Sequence, residues 1–83
     1  MNNSDDLLMA KMIKLYLIHN PNSTAKQMSI FFSENKFGIK TNYTAREISK
    51  LIKVYNKTPQ NVYKWFNIEV IHEKGKSLRY VVK

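Results

Sequence analysis

Apolar residues change their spacing along the chain, and the changes divide it into elements. From about Asp5 to His19 they crowd together: Leu8, Met12 and Leu15 form one stripe, Met9, Ile13 and Tyr16 lie beside it, and Leu7, Leu17 and Ile18 widen the surface. Steps of three and four residues predict a helix, and its wide apolar surface predicts one that is either buried in the core or paired with a second copy. Asn20-Pro21-Asn22 predicts a turn, because proline restricts the residue before it and brings no backbone donor. Ser23 or Thr24 then caps a second helix. Thr24 and Gln27 have capping-box spacing, Met28, Phe31 and Phe32 share one side, and the helix is expected to end near Asn35 or Lys36.

Phe37, Ile39, Thr41 and Tyr43 alternate with other residues, which predicts a short strand able to join a C-terminal hairpin as its third member. Thr44 and Glu47 repeat the capping-box spacing, and Tyr43 and Ile48 flank it as a hydrophobic staple. Ile48, Leu51, Ile52 and Tyr55 supply a buried helical face. The stretch Lys53 to Lys57 reads as a connection. Thr58 and Pro59 then open another helix, with Val62, Trp65 and Phe66 on its apolar side and Gln60, Asn61, Tyr63 and Lys64 on or near the other. From Ile68 the period becomes two, interrupted by Glu73-Lys74-Gly75-Lys76-Ser77, so a hairpin is expected with Gly75 free to take positive φ at its tip.

A length of 83 residues predicts one domain spanning 1–83, with 5–19 as its core or dimerisation helix. The formal charge of +8 is uneven: residues 1–40 carry +2 and residues 41–83 carry +6, so a polyanionic partner is expected at the C-terminal half. The chain contains no cysteine, no phosphate-binding glycine loop and no clustered carboxylates, which argues against an enzyme, a metal site or a cofactor. The apolar run near the N-terminus is short and broken by Lys11 and Lys14. It predicts neither a signal peptide nor a membrane span, and a cytoplasmic location is the expectation.

On these residues the span from Ser23 to Lys83 resembles the winged helix-turn-helix superfamily of DNA-binding proteins. The resemblance implies an α+β fold, a winged helix-turn-helix with a helical N-terminal portion and a small antiparallel β-sheet. In it "TAREISKLI" looks like the supporting helix, "TPQNVYKWF" like the recognition helix and "IEVIHEKGKSLRYVV" like the wing. The implied function is non-enzymatic binding of double-stranded DNA, most simply in transcriptional regulation, with a homodimer matching paired half-sites.

The residues supply their own reasons for such a site. Thr58 and the first turn after it offer backbone donors for phosphate. Gln60 and Asn61 can pair with adenine, and Lys64 can reach guanine or phosphate. Tyr63 and Arg46 can contact phosphate, while Lys74, Lys76 and Arg79 in the hairpin can lie along the backbone and give affinity that falls with salt. The competing reading is a protein-interaction adaptor on the same scaffold, carried by the apolar N-terminal surface and favoured by an exposed patch containing Tyr63 or Tyr80. RNA remains open, since a basic surface alone does not distinguish duplexes.

Overall fold

The computed structural model describes residues 4–34, 43–57 and 64–83. In chain order the elements are α1 (Ser4–His19), β1 (Ser23–Thr24), α2 (Ala25–Glu34), α3 (Ala45–Lys57), β2 (Ile68–Ile71) and β3 (Arg79–Val82). The fold is mixed α+β. Its antiparallel sheet has the order β1-β3-β2, so the last strand lies in the middle and the first is brought to its edge from between two helices.

Both expected capping boxes form. At the start of α2 the Thr24 N–H donates to Gln27 Oε1 at 2.8 Å and the Gln27 N–H donates to Thr24 Oγ1 at 3.1 Å. At the start of α3 the corresponding Thr44 and Glu47 bonds are 2.9 and 3.2 Å. Each box satisfies two donors that a helix start otherwise leaves to solvent, which fixes where the helix begins. Ile48, Leu51, Ile52 and Tyr55 are all buried, as their spacing predicts, and Tyr43 packs against the core from the position before the cap.

α3 does not stop where a connection is expected. It runs without a break through Lys53–Lys57, because that stretch holds no glycine or proline and Tyr55 continues the buried face. The expected helix after Thr58 falls mostly outside the described residues, which resume at Lys64. There Lys64 and Trp65 form a turn and Phe66 is irregular, so no helix extends to Phe66. The strand expected over 37–43 also lies outside the described residues apart from Tyr43, which is irregular.

The third strand observed is β1, in which Ser23 pairs with Tyr80 and Thr24 with Arg79. Its residues read from sequence as a helix cap. Thr24 serves as both, because an N-cap has extended backbone angles and can sit in a strand without strain. The approach to β1 is set by Asn22 at φ 65°, whose N–H donates to the Tyr80 carbonyl at 3.0 Å. Asparagine is among the few residues that tolerate the left-handed region.

In α1 the buried residues are Met9, Ala10, Ile13 and Leu17, whereas Leu8 and Leu15 face outward beside a half-buried Met12. The stripe expected through Leu8 and Leu15 is therefore not the core stripe. A helix apolar on nearly every side has no face that periodicity alone can select, and the docking choice is made by α3 and the sheet. Met28 and Phe32 of α2, the buried face of α3, Phe66, Ile68 and Tyr80 complete one cluster. Fully burying a side chain of this kind contributes about 2 kcal/mol.

Candidate nucleic-acid interface

α3 is 13 residues long, about 20 Å at 1.5 Å per residue. Burying Ile48, Leu51, Ile52 and Tyr55 turns the opposite side to solvent, and Arg46, Lys50, Lys53 and Lys57 stand there, all exposed. Their steps of four, three and four residues stack them along the length of the helix. None of the four joins an ion pair among the described residues. Glu47, in the same exposed region, is held by the Thr44 backbone N–H. Neighbouring cations at this spacing weaken a helix by a few tenths of a kcal/mol each, so the row does not exist to stabilise α3.

The hairpin of β2 and β3 is fixed to this helix at two points. Ser49 Oγ and Tyr80 OH are hydrogen-bonded at 3.1 Å, and Asn56 Nδ2 donates to the Ile68 carbonyl at 3.0 Å. Tyr55 and Phe66 add a ring contact with centroids 5.4 Å apart. Between α3 and the hairpin lies a cleft of about 170 Å³ with Ile52, Val70, Leu78 and Tyr80 as apolar lining and Lys53 and Lys57 among its other residues.

At the hairpin tip the Lys76 N–H donates to the Glu73 carbonyl at 3.1 Å, closing a four-residue turn in which Gly75 has φ 77°. That is the type II pattern, which needs a residue able to take positive φ at its third position. Lys74 and Lys76 flank Gly75 and are exposed. The carboxylate of Glu73 accepts from Arg79 and stands 3.8 Å from Lys76 Nζ, so two of the three hairpin cations share one acid.

Of the site residues expected from sequence, the structure places Arg46 on the cationic row and Lys74, Lys76 and Arg79 in the hairpin. Lys64 stands apart from that row, in the exposed turn before β2. Thr58, Gln60, Asn61 and Tyr63 lie outside the described residues. Lys50, Lys53 and Lys57 are not among the residues expected from sequence. A connection at Lys53–Lys57 conceals their spacing, which a single helix over 45–57 makes plain. Trp65, expected as a core anchor, is half-buried and meets Phe66 edge-on at 5.7 Å. Tyr80, whose exposure would have favoured an adaptor, is buried, with its hydroxyl on Ser49.

No helix among the described residues is long and apolar enough to cross a membrane. Comparison with protein-family models, curated proteins and solved structures finds no match for this chain.

Proposed function

We propose that the chain binds double-stranded DNA through a winged helix-turn-helix arrangement in which α3 enters the major groove. The observation that carries this reading is the row Arg46, Lys50, Lys53 and Lys57 opposite the buried face of α3. A helix of this diameter fits the major groove, and a row of cations along its exposed side can meet phosphates on the groove walls. Element order supports the same assignment. The edge strand β1 precedes α2 and α3, and the central strand β3 closes the chain, so α2 is the supporting helix and β2–β3 is the wing.

The roles then divide by chemistry. Arg46, nearest the helix start, is the best candidate for a guanine edge, because a guanidinium can donate two parallel hydrogen bonds to it. Lys50, Lys53 and Lys57 hold phosphate as point charges, and Lys74 and Lys76 extend the grip on the backbone from the wing tip. Regulation of transcription is the simplest use of such a module. Base recognition by Gln60 and Asn61 is a separate part of the proposal.

The test is duplex binding across a salt series, with single-stranded DNA and RNA of equal length for comparison. Lys50→Ala with Lys53→Ala should weaken duplex binding for all sequences and lower the log–log salt slope by roughly 0.9 for each phosphate no longer neutralised. Arg46→Ala should relax sequence preference in a selected duplex library. Gln60→Ala with Asn61→Ala tests the second segment independently. Unchanged duplex affinity after neutralising both the α3 row and Lys74 with Lys76 would refute the proposal.

A further inference from the structure

Among the described residues, Leu8, Leu15 and Ile18 on the outer side of α1 stay exposed, and the proposed DNA surface does not use them. Leu8, Lys11, Leu15 and Ile18 follow one another at steps of three, four and three residues, the alternation of a coiled-coil seam. Leu8 is 39% exposed, Leu15 51% and Ile18 53%. Leu15 stands between two recesses. One, of about 170 Å³, is lined by Lys11, Lys14, Ile18 and Trp65 as well as Leu15 itself. The other, of about 270 Å³, includes Met12, Tyr16, His19 and Phe31.

From this we infer that α1 is the seat of a homodimer, in which two copies pack their α1 helices antiparallel about a twofold axis. A twofold interface must complement itself, and a face carrying both a projecting leucine and apolar recesses meets that condition. Antiparallel packing in the seam register sets Leu8 against Ile18 of the partner subunit, and Lys11 against Leu15 of the partner subunit. The stem of Lys11 can cover that leucine while its ammonium reaches water.

Charge does not oppose a second copy at this face. α1 balances Asp5 and Asp6 against Lys11 and Lys14, so the whole formal charge of +8 lies outside it. A face without net charge adds no local repulsion when two copies of this basic chain meet there. The antiparallel sense also brings the acidic first turn of each helix beside the partner's C-terminal end, where His19 stands, and opposes the two helix dipoles. A 16-residue helix is only about 24 Å long, so the seam alone is smaller than a standard interface of roughly 800 Å² per partner. The dimer is therefore weak and concentration-dependent. The inference does not depend on DNA binding.

Sedimentation velocity of the full chain over a concentration series tests it. The wild type should show monomer–dimer exchange. Leu15→Lys sets like charges against each other across the antiparallel seam and should weaken association by roughly tenfold or more. Because the position is half exposed, circular dichroism should be unchanged; Ile18→Lys provides a second disruption at another exposed position. Adding Lys11→Glu to Leu15→Lys should restore the dimer, because antiparallel packing sets each new carboxylate opposite the partner's new ammonium. A parallel pair would set like against like and stay apart. A wild type that is monomeric at every concentration, a Leu15→Lys variant that still dimerises, or a double variant that fails to recover would each overturn the inference.

Discussion

Ser49 Oγ and Tyr80 OH meet at 3.1 Å, joining the middle of α3 to the central strand of the sheet. Tyr80 is buried, its backbone pairs with Ser23 on one side and Val70 on the other, and its side chain ties this central strand to α3. Tyr80→Phe keeps the ring and removes only the partner of a part-buried hydroxyl. The expected cost is about 1 kcal/mol, read as a lower urea midpoint with an unchanged slope. A changed slope would mean that the variant alters the compactness of one state, and the bond would not be the cause.

The cationic row on α3 makes opposite predictions for stability and for binding. Lys53 has Lys50 three residues before it and Lys57 four after, and like charges at those spacings oppose the helix. Lys53→Gln should leave thermal stability unchanged or raise it by a few tenths of a kcal/mol, while weakening duplex binding. Loss of stability together with binding would instead make Lys53 a structural residue.

Glu73 restrains the hairpin cations by accepting from Arg79 and lying 3.8 Å from Lys76. A phosphate has to compete with that carboxylate for both. Glu73→Gln should therefore tighten duplex binding and steepen its salt dependence, with a stability change within about 1 kcal/mol because the pairs are solvent-exposed. If affinity falls, the acid positions the cations for DNA and does not compete for them.

The two Thr-led capping boxes, the buried face of α3 and the glycine-tipped hairpin were legible because each rests on local chemistry a few residues long. β1 was not. Ser23 and Thr24 carry cap residues and no alternating apolar pattern, and they enter the sheet only because β3 passes beside them. The outward side of α1 was legible as apolar but not as outward, since Leu8 and Met9 are equally apolar and only packing separates them. The candidate site was half legible. Charge alone points to Arg46 and the hairpin cations, while the row of Lys50, Lys53 and Lys57 emerges only when α3 is seen to run unbroken to Lys57.

Gly75 holds the hairpin tip at φ 77°, and a Cβ added there would meet nothing within 4 Å. A substitution therefore meets no steric clash with neighbours, and its cost is that of the backbone conformation alone. The left-handed region costs an ordinary L-residue about 1 kcal/mol, partly offset because replacing glycine also restricts the unfolded chain. Gly75→Ala should accordingly destabilise by about 1 kcal/mol or somewhat less, and Gly75→Asn by less still, since asparagine already occupies φ 65° at Asn22 in this chain. Urea denaturation of the three proteins checks the order Gly, Asn, Ala. An alanine variant as stable as the wild type would show that the tip does not need positive φ, and that Lys74 and Lys76 are not held in place by this turn.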